Sequence, residues 1–362
     1  MRWRGEGPGV RGGTEVGHSF GNRPPTGMLR GMVNTMATRV LLLLAATVTL
    51  ARADEPSRLR AAIAKALPLI ATSATTYTEQ RDCFSCHHQT LPALAWADVR
   101  RKGFDIDAAV SKKQADFTRD YFAARKEKLI AGEGVPGGAY SAGYALAGLA
   151  AEKVAADKTT AALVEYLRKT QRDDGGWRIQ GGSHRPPLED SHFTATALAL
   201  AALRGPFASA TEDAAVVERG MKWLREHEAT STEDAVFRLL GLVEARADEK
   251  TIDGAVAELL KRRRDDGGWG QETDSASDAY ATGTALTALA AAKNLGREVE
   301  ADVFRRGRTW LLEAQLPDGS WKVETRAKPF QEYFESGYPH AKSQFISIAA
   351  ACRAVQSLAA GL

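Results

Sequence analysis

The stretch RDCFSCHHQT, residues 81–90, holds two of the three cysteines in the chain and a histidine directly after the second. Cys83-x-x-Cys86-His87 is the spacing with which two thiols attach haem c and the adjacent imidazole becomes an axial ligand of the iron. The same residues also suit a zinc or other metal site, and in an oxidising compartment the two thiols suit a structural disulfide. The residues alone leave all three alternatives open.

A haem or metal site at this stretch needs further ligands from elsewhere in the chain. Neutral imidazole is the commonest metal ligand among side chains. His184, His192 and His340 are therefore the candidate second ligands. The cofactor expected here is haem c, otherwise a metal ion or none.

The stretch MATRVLLLLAATVTLARA, residues 36–53, has the form of a secretory signal peptide. It has a basic residue near its start, an apolar run from Val40 to Leu50 and a small-x-small end at Ala51-Arg52-Ala53. Residues 1–35 are rich in Gly, Arg and Pro, and we interpret them as a disordered extension translated from an upstream start codon. The sequence thus predicts an exported protein, periplasmic or secreted, with no transmembrane segment after cleavage.

The composition of the full 362-residue chain is that of an ordinary soluble globule, and we expect residues 54–362 to form a single domain. The charged fraction is 26%, the hydrophobic fraction 44% and the net charge +3. Basic residues are dispersed rather than clustered on one segment, so nucleic acid is not an expected partner. Nothing in the composition indicates a protein partner.

Three short stretches repeat along the chain. QRDDGGW (171–177), RRDDGGW (263–269) and QLPDGSW (315–321) share an Asp-Gly-x-Trp ending. DSHFTATALALAAL from Asp190 and DAYATGTALTALAAA from Asp278 follow the first two. Internal repetition on this scale is typical of stacked supersecondary units.

The repeats predict six helix pairs. One member of each pair is amphipathic and charged, and the other is small and apolar nearly all round, as expected for a helix buried between neighbours. Such pairs predict an all-α fold, an α/α toroid with an inner and an outer ring of helices. The outer helices are expected at about 57–72, 107–129, 157–170, 213–227, 252–263 and 299–314, and the inner helices at about 89–101, 140–152, 192–203, 234–246, 279–293 and 343–359.

The connections from outer to inner helices should share one rim of the toroid. The cysteine stretch is the first of these connections, and Asp190 and Asp278 are expected as N-caps of the inner helices that follow later ones. Arg185 and Tyr280 complete the residues expected at the cavity rim, and residues 328–345 are expected to fold over it as an aromatic lid. The fourth repeat lacks the Asp-Gly-x-Trp turn, so we expect it to line the site least.

The chain resembles the superfamily of squalene-hopene cyclases and protein prenyltransferase β subunits. Their QW motif reads roughly Gly-x-x-aromatic-Leu-x-x-x-Gln-x-x-x-Gly-x-Trp, and the sixth repeat matches it from Gly307 to Trp321. The resemblance implies a structural role for the motif residues and a central apolar cavity that binds an isoprenoid-like hydrophobic ligand. The motif residues conserved in type in the third, fifth and sixth repeats are Gln171, Gly175, Trp177, Gly267, Trp269, Gln315, Gly319 and Trp321.

The catalytic motifs of that superfamily are not matched. Cyclases protonate an alkene with the middle aspartate of Asp-x-Asp-Asp-Thr-Ala, and the matching stretch, which begins at Asp190, has His192 at that position. An imidazolium is far too weak an acid for this step. Prenyltransferases bind zinc with an aspartate and a cysteine two residues later, where this chain has His192 or Tyr280. The resemblance therefore predicts ligand binding without cyclase chemistry; a haem redox protein or a metal-dependent enzyme at the same rim is the alternative, and whether the chain is an enzyme stays open.

Overall fold

The computed structural model describes the backbone of residues 28–181, 185–209, 211–329 and 332–362, and side chains within these ranges from residue 54 onward. The chain divides into two units, after Asp54. The described part of the first unit, residues 28–54, is helical. Within the described residues no helix is both long and apolar enough to cross a membrane. The signal peptide and the disordered extension stay predictions, and residues 1–27 of the latter lie outside the description.

The second unit, residues 55–362, consists of helices joined by turns and longer loops. A π-helical turn, Cys86–Thr90, precedes the second helix, and a short 3-10 turn, Ala341–Ser343, precedes the last. The helices are α1 (Met28–Gln80, in this unit from Glu55), α2 (Leu91–Arg100), α3 (Ala108–Ala123), α4 (Lys126–Ala131), α5 (Ala139–Ala151), α6 (Lys158–Thr170), α7 (His192–Leu203), α8 (Ala214–Glu226), α9 (Thr232–Glu244), α10 (Glu249–Lys261), α11 (Ala279–Asn294), α12 (Ala301–Ala314) and α13 (Gln344–Ala359).

Six inner helices close into a ring. In the order α2, α5, α7, α9, α11 and α13, each packs against the next, and α13 packs against α2. The outer ring is closed where α12 meets α1: Arg308 Nη2 lies 2.9 Å from Glu55 Oε1, and Gln315 Nε2 donates to the Ala62 carbonyl at 2.9 Å. The predicted α/α toroid of six helix pairs is confirmed.

Small residues allow the inner helices to approach closely. A Cβ on Gly143 of α5 would lie 2.6 Å from Leu198 Cβ of α7, and one on Gly283 of α11 would lie 2.7 Å from the Arg353 carbonyl carbon of α13. Only glycine fits at such contacts. A larger residue at either position would push the neighbouring inner helices apart. The outer helices keep one charged face for water.

The Asp-Gly-x-Trp turns tie neighbouring helices together. The Trp177 indole donates to the Leu167 carbonyl at 2.8 Å, and the Gln171 amide donates to the carbonyls of Gly175 and Val216, the latter on the next outer helix. Trp269 and Trp321 make the same indole bond, to Leu259 and Leu311 at 2.9 and 2.8 Å. These contacts give the motif residues a scaffolding position, away from the ring interior.

Three predicted helix boundaries differ from the structure. The first outer helix, expected at about 57–72, continues in α1 to Gln80. The predicted outer helix at 107–129 is broken into α3 and α4, because the chain turns at Arg125, whose guanidinium lies 3.7 Å from the Tyr121 ring centroid. The N-cap of α7 is Ser191 rather than Asp190: the Ser191 hydroxyl accepts from the amides of Phe193 and Thr194. Asp278 does cap α11, accepting from Tyr280 N and Ala281 N.

Candidate functional site

The cysteine stretch forms a buried turn at the start of the first inner helix. Cys86 is 3% exposed, His87 7% and His88 0%. The turn is π-helical, and the Gln89 side chain accepts from Ser85 N at 2.8 Å, which holds the entry to the turn. Single π-turns are often found at functional sites. Cys86 and His87 thus lie in the interior, whereas Cys83 is partly exposed.

Aromatic rings enclose the two histidines of this turn. Tyr77 stacks on His88 with ring centroids 4.4 Å apart, and Phe345 packs edge-on against His87 at 5.6 Å. Tyr140 Oη lies 3.3 Å from Cys86 Sγ, and His87 Nδ1 lies 3.6 Å from the same sulfur. We call these six residues, Tyr77, Cys86, His87, His88, Tyr140 and Phe345, the mouth cluster.

Burial keeps the mouth cluster uncharged at neutral pH. Desolvation, followed by the nearby Arg185 charge, lowers the pKa of His87 to about 3. Desolvation and the charge of His87 lower the pKa of His88 well below its usual value. Desolvation raises the pKa of the Cys86 thiol to about 12. The cluster therefore offers neutral imidazoles and a thiol rather than a thiolate.

The cysteines are not joined, and the histidines predicted as partners lie elsewhere. Cys83 and Cys86 are free thiols in this structure. His192 is exposed, His340 contacts Ser320 Oγ at 2.8 Å, and His184 lies outside the described residues. Across the ranges described, no three His, Cys, Asp or Glu side chains are grouped as a metal site requires.

The mouth cluster fits haem c in its donors but not in its packing. The turn has free thiols at Cys83 and Cys86 and a His87 imidazole in the neutral form that binds iron. Atoms that line a space large enough for a ligand keep accessible surface, yet Cys86 and His87 are only 3% and 7% exposed. The Cys83 sulfur is instead against Tyr77 Oη at 3.0 Å. A porphyrin has no room beside these side chains as they are packed.

Two loops cover the mouth cluster. Arg185 and Glu189 form an ion pair at 2.8 Å, and both charges act on Cys86. The predicted aromatic lid brings Phe334 within 5.7 Å of Tyr77, while Arg81 lies 4.1 Å from the Phe334 ring. Asp190, also expected at the rim, is exposed. Desolvation raises the pKa of the capping Asp278 to about 6.

A second group of polar side chains, not expected from the sequence, lies inside the ring of helices. Glu233 of α9 is 6% exposed, and its Oε1 accepts from Thr194 Oγ1 of α7 at 3.0 Å. Tyr280 of α11 donates to both carboxylate oxygens, at 3.1 and 3.2 Å. Desolvation raises the pKa of Glu233 to about 8, against smaller lowering effects of Thr194, Arg353 and Tyr280. Tyr280 is therefore an interior residue rather than a rim residue.

An arginine completes this group from the other side. Arg353 of α13 is 4% exposed, and its Nη2 donates to Tyr144 Oη of α5 at 3.3 Å. Since α5 and α13 are separated in the ring by α2, this bond crosses the interior. We call Tyr144, Thr194, Glu233, Tyr280 and Arg353 the ring-centre cluster. The five residues come from five of the six inner helices.

The ring centre is more polar and more tightly filled than predicted. The cavity beside Glu233 has a volume of about 10 Å³, with Pro187, Gln271, Tyr280 and Thr284 among its lining residues. This is room for about one water molecule. A carboxyl and several hydroxyls occupy the interior in the described packing, and the expected apolar cavity for a ligand stays a prediction. The fourth repeat, expected to contribute least, supplies Glu233.

Two signals in the sequence pointed to the missed residues. Arg353 is the one charged residue of α13, QFISIAAACRAVQSLA. Glu233 lies in the first turn of α9, just after the Ser231 N-cap, at the rim end of an inner helix. A lone charge on a helix that is otherwise apolar all round marks a buried polar site.

Comparisons with known proteins agree with this fold. Residues 231–355 match the squalene-hopene cyclase C-terminal domain. A variant of the type II terpene cyclase MstE from Scytonema, in complex with geranylgeranyl dihydroxybenzoate, matches with a TM-score of 0.52 and 16% identity over 85% of this chain and 99% of that chain. No curated protein has significant sequence similarity to the chain.

Carbohydrate-active toroids match equally well. A possible member of the GH105 family from Salmonella enterica has a TM-score of 0.54 and 12% identity, covering 84% of this chain and 94% of that chain. The unsaturated glucuronyl hydrolase from Bacillus sp. GL1 has a TM-score of 0.50 and 14% identity, covering 83% and 96%. At these identities the likeness shows the fold alone. The family match is confined to residues 231–355, and over the rest of the chain the likeness is one of fold.

Proposed function

We propose that this toroid binds a hydrophobic, isoprenoid-like small molecule at its centre, without the alkene protonation of the cyclases. The ring-centre cluster is the observation that carries the proposal. Burying Glu233 and Arg353 costs free energy that an apolar core would avoid. Such a cost is characteristic of binding and catalytic sites.

The proposed ligand class rests on the fold and on the family match. The Scytonema terpene cyclase of similar fold is in complex with geranylgeranyl dihydroxybenzoate, and nearly the whole of that chain is covered. The helices that surround the centre here are rich in Ala, Leu and Thr, which suit an apolar chain.

The absence of cyclase chemistry follows from acid strength. The residue at the position of the cyclase acid is His192, which is exposed. The buried carboxyl is that of Glu233, whose pKa of about 8 makes it a weaker acid than an ordinary glutamate. Protonating an unactivated alkene requires a much stronger acid. Glu233 is suited instead to hydrogen bonding an oxygen of the ligand.

Room for the ligand has to come from movement of the covering loops. Pro187 and Gln271 lie on the connections into α7 and α11 and line the small cavity beside Glu233. Displacing these connections opens the cavity toward the rim while the helix ring stays closed. Loop displacement on binding is common where a site is covered by connecting segments.

Lipid extraction and mass spectrometry of the purified protein test this function, followed by titration with geranylgeraniol. We expect a co-purified isoprenoid and saturable binding. Ala281→Leu narrows the cavity and should weaken binding at least about tenfold. Ala290→Leu, on the same helix but outside the cavity, should bind as wild type. A protein free of lipid that does not bind geranylgeraniol contradicts the proposal.

A covalent haem c at Cys83 and Cys86 is the second candidate. One observation favours it: Cys83 and Cys86 are free thiols, and the buried His87 imidazole is neutral. It requires export, so cleavage of the signal peptide before Asp54 belongs to this proposal and is checked by N-terminal sequencing. Expression in a periplasm with haem-attachment proteins should yield a Soret band that survives acid-acetone extraction. Colour retained in both Cys83→Ser and Cys86→Ser excludes thioether attachment, and a colourless wild type excludes haem.

A metal-dependent site at the same rim is the remaining alternative. The described residues do not supply the ligands for it, so it depends on a side chain such as that of His184. Metal analysis of the purified protein tests it: a stoichiometric metal lost in Cys86→Ser supports it, and a metal-free protein contradicts it.

A further inference from the structure

Arg353 is a buried cation whose hydrogen bonds go only to neutral groups. Its Nη1 donates to Gln356 Oε1 at 3.0 Å and its Nη2 to Tyr144 Oη at 3.3 Å. Its Nε lies within the protein without a hydrogen-bond partner among the described residues. Among the described residues, no carboxylate forms an ion pair with the Arg353 guanidinium within 4.0 Å. The guanidinium therefore keeps an unused donor and has no ion-pair partner within 4.0 Å among the described residues.

The neighbouring acid does not neutralise Arg353. Glu233 is close enough for the Arg353 charge to act on it, but burial keeps its carboxyl mostly protonated at neutral pH. Arg353 is linked to the Asp98 carboxylate only through Gln356, whose amide donates to Asp98 Oδ2 at 2.9 Å. An isolated buried charge is costly unless it is paired and fully hydrogen-bonded. An anionic group at the ring centre would remove that cost.

We infer that Arg353, together with the Tyr144 hydroxyl, binds an acidic group carried by the hydrophobic ligand, so that the ligand is an amphiphilic acid rather than a neutral isoprenoid. A planar guanidinium with a free Nε–H is suited to a carboxylate, which it binds through two parallel hydrogen bonds. The inference rests on the proposed function and specifies its ligand.

A matched pair of probes tests the inference. Geranylgeranoic acid and geranylgeraniol share one apolar chain and differ in the acidic group. Wild type at pH 7 should bind the acid at least about tenfold more tightly than the alcohol, since hydrogen bonds to a charged group favour it by this order. Arg353→Met should lose this preference and bind the two probes with similar affinity. Arg238 lies on α9 and pairs with Glu258 at 3.1 Å. The control variant Arg238→Met should keep the preference for the acid.

The outcomes separate the two proposals. Equal affinity of wild type for both probes overturns the inference and leaves hydrophobic binding intact, as does a preference that survives in Arg353→Met. A wild type that binds neither probe overturns both. Apolar replacement of a buried charge is often neutral or stabilising, so Arg353→Met should fold with an unchanged or higher melting temperature. Independently of any variant, the preference of wild type should vanish near pH 4, where the probe carboxyl is largely protonated.

Discussion

The Tyr280 hydroxyl donates to both oxygens of the Glu233 carboxyl, at 3.1 and 3.2 Å, inside a closed ring of helices. The two residues belong to neighbouring inner helices, α11 and α9. Their contact places a titratable group at the centre of the toroid, where its protonation is coupled to the stability of the fold.

The pH dependence of unfolding should report Glu233. Its pKa is raised to about 8 in the folded state, from an ordinary value of 4.5. Its contribution to stability is complete below pH 4.5 and is lost as the pH rises through 8, because the unfolded state releases the proton more readily. In urea unfolding, the Glu233→Gln variant should therefore lose less free energy of unfolding than wild type between pH 4.5 and pH 8. Glu228→Gln, at an exposed position, is the control; equal slopes in wild type and Glu233→Gln would exclude the buried titration.

His87 should have the opposite effect at acid pH. Its pKa is lowered from 6.5 to about 3, so the unfolded state takes up a proton that the folded state refuses. The contribution is complete above pH 6.5 and is lost as the pH falls toward 3. His87→Phe, which keeps the packing against Phe345, should lose less stability than wild type between these values. Urea unfolding midpoints of both proteins at several pH values measure this difference in stability. The same pH dependence of the midpoint in wild type and His87→Phe would contradict the prediction.

The Asp-Gly-x-Trp turns should not tolerate a side chain at their glycine. Gly175 has a φ of +93°, and a Cβ there would lie 2.4 Å from the Arg219 carbonyl oxygen. Gly175→Ala should therefore destabilise the protein by at least about 2 kcal/mol. Gly254 on α10 has open space around it, and Gly254→Ala should stabilise by about 0.5–1 kcal/mol. Thermal unfolding compares the two; a harmless Gly175→Ala would show that the turn is replaceable.

The three thiols should differ in reactivity. Cys83 is partly exposed, whereas Cys86 is buried with a pKa of about 12 and Cys352 is buried with a raised pKa. Iodoacetamide should alkylate Cys83 in the native protein at least about 100-fold faster than the other two. Peptide mass spectrometry measures the sites, with urea-unfolded protein as the control. Rapid native alkylation of Cys86 would indicate that the mouth cluster opens freely.

The fold could be predicted because its signals are local and repeated. Turns ending in Trp177, Trp269 and Trp321, with small-residue segments after the first two, indicate helix pairs without knowledge of their partners. The ring-centre cluster could not be predicted in this way. A helix that is apolar all round, such as α13, does not show which face points inward, so the position of Arg353 follows only from the packed ring. Glu233 lies in the repeat whose turn has no signature.

The mouth cluster could be predicted from the sequence only in part. The spacing of Cys83, Cys86 and His87 identified a chemically capable turn, but the burial of that turn depends on Phe345 and on a loop that contains Arg185, both distant in sequence. One-residue shifts also matter: the sequence pointed to Asp190 as a helix cap, and Ser191 has that position. Such a shift is decided by backbone geometry at the loop end.

Closure of the outer ring by α1 and α12 has a consequence for how the protein resists unfolding. In open repeat arrays the terminal units have a single neighbour and fray first. Here a Cβ at Gly361 would lie 2.9 Å from Leu59 Cδ1, so the last described turn packs beside the start of the second unit. Every helix pair then has two neighbours, and releasing any one of them breaks two interfaces at once. We expect the toroid to melt as one cooperative unit rather than repeat by repeat.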